Sequence, residues 1–138
     1  GNWQPMTLAD ASAHYQLTLD KTPPLVDSVT ATKGATTTAL TIQAHDPINS
    51  TPQNVIQTNI VRAEWFAAPC VASADAGCLN DPGPGNATAI PVPTPATTVT
   101  LNVTIPNQAA GKAVYVRVMD AAGNWSFVDY KHPVVTYP

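Results

Sequence analysis

Apolar and polar side chains alternate along several stretches of this chain, and the alternation predicts β-strands. The three clearest stretches are residues 38–46, 98–105 and 113–120. Successive side chains of a strand point to opposite faces, so each stretch would have one apolar face and one polar face. The apolar sets are Leu40, Ile42 and Ala44, then Val99, Leu101, Val103 and Ile105, and finally Val114, Val116 and Val118. These three strands are therefore predicted to be half-buried.

A fourth stretch, residues 60–67, shows the same alternation, but both of its faces carry large side chains. The set that includes Trp65 is predicted to face the core, because the other set carries Arg62 and Glu64. The inward set is Val61, Ala63 and Trp65. Trp65 would then be the bulky centre of the core, and Glu64 a solvated carboxylate beside Arg62.

Three weaker patterns predict further strands at residues 26–32, 88–92 and 126–135, and no segment has helical periodicity. Thr occurs 18 times, Pro 14 times and Glu once, a composition that favours strands joined by rigid turns. About seven short strands, each with a single apolar face, require two sheets packed face to face. The sequence thus predicts an all-β fold, an antiparallel β-sandwich in one domain.

Charge and hydropathy exclude two classes of partner. Only 11% of the residues are charged, and the net charge is -3, so no basic surface is available to bind nucleic acid. No run of about 18 apolar residues is present, so direct membrane insertion is not expected. If the protein is exported, its signal would lie upstream of Gly1.

Two cysteines lie close together in "CVASADAGC", at Cys70 and Cys78. No His or second Cys pair is near enough in sequence to complete a zinc site. A disulfide in a hairpin loop is the favoured interpretation, since a charge-poor composition rich in Thr and Pro is typical of exported β modules. The alternative is a pair of free thiols in a cytosolic protein.

Three quoted segments carry a resemblance to a known group of modules: "DKTPPLVDSVTAT", "AEWF" and "VYVRVMDAAGNWS". Over about residues 20–135 the chain resembles the bacterial immunoglobulin-like or fibronectin type III-like modules of large exported and cell-surface proteins. The resemblance implies an immunoglobulin-like sandwich of about seven strands and a secreted or cell-surface location. The group has no single activity. The segment from Pro69 to Gly85 departs from the common pattern.

The tripeptide "GNW" opens the chain at Gly1 and recurs at Gly123, which suggests a tandem repeat. On this interpretation residues 1–20 are the closing strand of a preceding repeat, and residues 21–138 form the sandwich domain. Neighbouring domains of the same chain would then be the main partners. The alternative is that the segment that ends at Leu19 is an added edge strand of this domain, with Tyr15, Leu17 and Leu19 buried.

A calcium site is predicted from acidic residues near strand ends. In a sandwich of this kind, Asp46, Asp120 and either Asp20 or Asp27 could converge at the pole where the chain enters. A calcium ion there would be structural, and no other cofactor is expected. The alternative is that the aspartates cap turns. Asp120 in particular is predicted to cap a hairpin turn that contains Asn124 and in which Gly123 has the left-handed conformation.

Catalytic residues are not expected. The three histidines lie on different predicted strands, no nucleophile-elbow motif is present, and Glu64, the only Glu, has no evident partner across a cleft. The favoured hypothesis is therefore a non-catalytic repeat that acts as a spacer, presentation or adhesion module, with another surface protein as a further partner.

The second hypothesis is a carbohydrate-binding module attached to a secreted hydrolase, with a polysaccharide as partner. Aromatic rings on an open face could stack on sugar rings, as sugar-binding surfaces require. The candidate side chains are Tyr115, Trp125, Phe66 and Tyr130. The alternation also places Tyr115, Arg117 and Met119 on the open face of their strand.

Overall fold

The computed structural model describes residues 19–50, 55–68 and 81–138. It contains nine β-strands in this part of the chain. They are β1 (Leu25–Lys33), β2 (Thr37–His45), β3 (Asn49–Ser50), β4 (Val55–Ile56), β5 (Ile60–Ala68), β6 (Thr88–Ile90), β7 (Thr98–Pro106), β8 (Ala113–Asp120) and β9 (Val135–Thr136). All pairings between them are antiparallel.

The strands form two main sheets, and the predicted all-β sandwich is confirmed. The three-stranded sheet has the order β1-β2-β7, the four-stranded sheet the order β6-β5-β8-β9, and β3 and β4 form a separate short pair. Within the described residues, no helix is long and apolar enough to cross a membrane.

The core lies between the two sheets, where the alternation placed it. The inward sets of β2 and β8 are buried. On β7, Val99, Leu101 and Ile105 are buried, and Val103 packs against the same cluster while half-buried. Since these side chains belong to a single core cluster, the two sheets are held together mainly by burial of aliphatic surface.

The pattern on β5 is displaced at its start. The pairing register between β5 and β8 shifts between Ile60 and Arg62, and one extra residue there reverses which side chains face inward. Ile60 is therefore a core residue, whereas Val61, which was predicted to face inward, is not in the core cluster. Beyond the shift, Ala63 and Trp65 face the core as predicted.

The other face of β5 and β8 is the main correction to the predicted fold. Tyr115 and Arg117 were expected on an open face, but each side chain is only 2% exposed. Glu64, expected to be a solvated carboxylate, is also 2% exposed and pairs with Arg117. The cause is a second layer on this sheet, in which the half-buried Asp81 and Tyr130 contact these side chains.

The predicted strand at residues 126–135 is mostly irregular. Trp125 makes an isolated bridge to Met119, and only Val135–Thr136 pairs with the start of β8. Between these points the chain leaves the edge of β8, and Asp129 caps a turn by accepting a hydrogen bond from the N–H of Lys131.

Residues 1–18 lie outside the described part of the chain, as does the segment that contains Cys70 and Cys78. The proposed domain boundary at residue 20 therefore stays a prediction, and so does the disulfide. If the two cysteines are bridged, titration of the denatured, unreduced protein with a thiol reagent will find no free thiol. Two reactive thiols per chain would refute the disulfide and the oxidising compartment inferred from it.

Candidate functional site: a buried carboxylate cluster

Three aspartates that are far apart in sequence meet at one end of the sandwich. Asp46 follows β2 directly, Asp120 is the last residue of β8, and Asp20 lies in the segment that leads into β1. One carboxylate oxygen from each lies within 4.8 Å of the others. Asp46 and Asp120 are fully buried, and Asp20 is 1% exposed. We call these three residues the carboxylate cluster, and it is removed from solvent.

A turn after β8 holds Asp120 in place. Its Oδ1 accepts hydrogen bonds from the backbone N–H groups of Ala122 (3.0 Å) and Asn124 (2.9 Å). Gly123 has a φ of 91°, a conformation that residues with a Cβ rarely adopt. The sequence "DAAGN" therefore folds into a tight Asp-capped turn, and its local chemistry fixes the direction of the Asp120 carboxylate.

The same turn also holds the entering chain. The side-chain amide of Asn124 donates to Oδ2 of Asp120 (3.1 Å) and to the backbone oxygen of Asp20 (2.9 Å). Asp20 caps its own turn, since its Oδ1 accepts from the N–H of Thr22 (3.1 Å). Asn124 thus couples the end of β8 to the segment before β1.

Thr58 connects the other two carboxylates. Its backbone N–H donates to Oδ2 of Asp46 (2.9 Å), and its hydroxyl donates to Oδ2 of Asp20 in a short hydrogen bond. Gln57, the preceding residue, donates from its side chain to the backbone oxygen of Asp46 (2.7 Å). The connection between β4 and β5 therefore forms one wall of the cluster.

The electrostatics of the cluster oppose ionisation of Asp46 and Asp120. Burial raises the pKa of Asp46 to about 7, and Asp20 and Asp120 add to the rise, although the hydrogen bond from the N–H of Thr58 opposes it. Burial also raises the pKa of Asp120; the hydrogen bonds from Asn124 oppose this, and Asp20 adds to it. In the described structure, no Lys, Arg or His forms an ion pair with any of the three aspartates.

One atom of the cluster has no partner in the part of the chain that the structure describes. Oδ1 of Asp46 is buried and accepts no hydrogen bond there, although buried carboxylate oxygens are almost always satisfied. An unpaired buried oxygen beside two further carboxylates needs either a proton or a metal cation. Oxygen ligands of this kind suit a hard cation such as Ca²⁺. Asp20, Asp46 and Asp120 are the residues that could hold it.

Asp27, the fourth predicted ligand, lies elsewhere. The pairing of β1 with β2 shifts in register between Val26 and Ser28, so Asp27 occupies a bulge. Its Oδ2 contacts Nδ1 of His45 at 2.8 Å, and both side chains are substantially exposed. Asp20 is therefore the acidic residue that the entering chain contributes to the cluster.

The four aromatic candidates for sugar stacking do not form an open platform. Phe66 and Tyr115 are buried and stacked, with ring centroids 5.4 Å apart. Tyr130 packs edge-on against Tyr115, and the half-buried ring of Trp125 lies 5.3 Å from the guanidinium of Arg62. Phe66 and Tyr115 are thus unavailable to a sugar in this conformation, because a second side-chain layer covers them.

The sequence did not predict a buried ion-pair network on the outer face of the four-stranded sheet. Nε of Arg117 donates to Glu64 (2.6 Å), and its Nη1 donates to Asp81 (2.9 Å). Asp81 also accepts a hydrogen bond from the hydroxyl of Tyr130 (2.6 Å), and Glu64 accepts from the N–H of Gly85 (3.1 Å). A signal was present, since the only Glu stands on a strand and the apposed strand carries an Arg.

Comparison of the chain with models of known protein families, with curated protein sequences and with solved structures gives no match.

Proposed function

We propose that this chain is a non-catalytic immunoglobulin-like module of an exported or surface protein, and that a calcium ion bound by Asp20, Asp46 and Asp120 fixes the chain that enters it. The observation that carries the proposal is the buried, unpartnered Oδ1 of Asp46 beside two other buried carboxylates. A cation would satisfy this oxygen and neutralise the cluster at once.

The position of the cluster favours a structural role. Its three carboxylates are buried, so a substrate in solution has no direct access to them. Each belongs to a different part of the chain: the entry segment, the end of β2 and the end of β8. A cation that joins them would crosslink the entering segment to both sheets. Such a joint would keep a preceding module in a fixed orientation, as a spacer or presentation module requires.

The immunoglobulin-like assignment is supported by strand order together with the resemblance of the sequence. A three-stranded sheet faces a four-stranded sheet. In the three-stranded sheet, β2 lies in the middle and pairs with β1 on one side and with β7 on the other. Many cell-surface modules share such a sandwich and have no common chemistry. Export and a surface location rest on the resemblance and on the composition.

Calcium is expected to stabilise the protein, and Asp46 to be required for the effect. At a concentration about 100 times the Kd, binding adds about 2.7 kcal/mol to the free energy of unfolding. For a domain of this size that corresponds to a rise of roughly 5–10 °C in Tm. Calorimetry with excess calcium and then with a chelator measures the difference.

Asp46→Asn should abolish the calcium effect and, in chelator, should raise Tm relative to the unsubstituted chain, because one buried negative charge is removed. Asp27→Asn is the matched control, since Asp27 lies outside the cluster, and it should leave the calcium effect unchanged. The proposal fails if calcium leaves Tm unchanged, or if Asp46→Asn retains the full rise.

A further inference from the structure

A groove with both apolar and polar lining residues runs between β1 and the irregular segment 126–134. It has a volume of about 430 Å³ and lies between the edges of the two sheets. Among its lining residues are Leu25, Val29, Val116, Phe127, Val128 and Val134. The ring of Phe127 is 86% exposed, and Leu25 is also exposed, so apolar surface is left uncovered at this position.

The groove exists because the chain leaves the edge of β8 and later returns to it. The backbone oxygen of Val118 accepts from the N–H of Ser126 (2.8 Å), and that of Val114 accepts from the N–H of Val134 (2.9 Å). Peptide groups of alternate residues in a strand point to the same side, so the N–H and C=O of Val116 point to this side as well.

No described residue hydrogen-bonds to the Val116 peptide on this side, although the residues two positions before and after it are paired there. Val116 is a buried residue that lines the groove, and a strand edge without hydrogen-bond partners is a template for pairing with another chain. A strand in the groove would supply the missing donor and acceptor. On the opposite wall, β1 is an edge strand in the described sheet, paired only with β2.

The charge around the groove is acidic. Asp27 and Asp129 belong to its lining, and no Lys or Arg is among the lining residues. In the described structure, the ion-pair partner of each carboxylate is a histidine, His45 for Asp27 and His132 for Asp129. The groove therefore complements a peptide with a basic side chain, and this complementarity would help to select the partner and its orientation.

We propose that this groove binds an extended peptide of another protein as an added strand. The peptide would pair with the Val116 backbone, place alternate apolar side chains against Phe127 and the valines, and carry a Lys or Arg near Asp27 or Asp129. This partner site is at the seam between the sheets, and it does not depend on the carboxylate cluster.

NMR amide exchange tests the proposal. The protein is titrated with a short blocked peptide of alternating Val and Thr that has a Lys at each end. In the free protein, the amide of Val116 should exchange faster than those of Tyr115 and Arg117, which point to β5. The peptide should slow its exchange. The same peptide with N-methyl groups at alternate amides should not bind, because it has lost its backbone donors.

Two surface variants locate the peptide. Phe127→Ser should weaken binding by about tenfold, whereas Ile48→Ser, at another exposed apolar side chain, should leave it unchanged.

The proposal is overturned if the peptide does not bind at millimolar concentration, or if both variants bind it equally. It is also overturned if the Val116 amide is already protected in the free protein, or becomes protected with rising protein concentration alone, which would indicate a second copy in the groove.

Discussion

Replacing Arg117 by Met is expected to destabilise the protein by about 3–5 kcal/mol, which is the usual cost of breaking a buried ion pair by removing one partner. Arg117 and Glu64 are each 2% exposed, and Met fills most of the volume of the Arg side chain. The loss would come from the buried Glu64 carboxylate, which would keep only the N–H of Gly85 as a hydrogen-bond donor among the described residues. Equilibrium unfolding in denaturant measures the change.

The charge network around Arg117 explains why this cost is large. Burial opposes ionisation of Asp81, yet hydrogen bonds from Arg117 and Tyr130 hold the pKa of Asp81 below its ordinary value. The hydrogen bonds that Arg117 donates to Asp81 and Glu64 outweigh the effect of burial and raise the pKa of Arg117. The guanidinium thus helps to keep the Asp81 carboxylate charged in the second layer.

Arg62→Met is the matched control for Arg117→Met. The Arg62 guanidinium lies over the ring of Trp125, but the residue is exposed, so its loss should cost about 1 kcal/mol or less. The double variant Glu64→Gln with Arg117→Met should be less destabilised than the sum of the two single variants, because the unpaired charge is gone. Equal effects of Arg117→Met and Arg62→Met would contradict the importance of the buried network.

Without a divalent cation, the protein is expected to lose stability as the pH rises from about 4 to about 7. Burial and the neighbouring Asp20 and Asp120 raise the pKa of Asp46 from its ordinary 3.8 to about 7. A group whose folded-state pKa is raised contributes stability that is fully present below its unfolded pKa and is lost as the pH passes through the folded one. The loss should be about 4 kcal/mol.

Calcium should remove this loss of stability, because a bound cation neutralises the buried carboxylates that are destabilising when they are ionised in chelator. The calcium-induced rise in Tm should therefore be larger at pH 8 than at pH 5, where protons compete for the same oxygens. Thermal melts across this pH range, with calcium and with chelator, measure both effects. Asp46→Asn should flatten the pH dependence in chelator, and Asp27→Asn should not. A stability in chelator that rises between pH 4 and 7 would refute the assignment.

The strands that face the core could be predicted because their chemistry is local. Alternation alone located β2, β7 and β8 to within one residue at each end and identified the buried sets of β2 and β8. It failed at the start of β5, where a bulge near Ile60 places Ile60 rather than Val61 in the core. A bulge depends on how two strands meet, and a single-strand pattern does not contain that information.

The candidate site was partly predictable for a related reason. Strand ends in a sandwich return to a common pole, so the positions of Asp46 and Asp120 indicated that they would approach each other. The choice of Asp20 over Asp27 depended on the bulge at Asp27 and on hydrogen bonds from Thr58 and Asn124. The burial of Tyr115 was not predicted, because the residues that cover it are distant in sequence and do not follow an alternating pattern.

The sequence by itself determined β2, β7 and β8, their aliphatic inner faces and the Asp-capped turn at Gly123, because each depends on side-chain alternation or on the conformation of a few neighbouring residues. Only the tertiary structure decided the rest. It enclosed three carboxyl groups together, covered the outer face of β8 with a second layer, and left the Val116 edge without a partner among the described residues. Burial, and the electrostatics that follow from it, depend on which distant segments exclude water from a side chain.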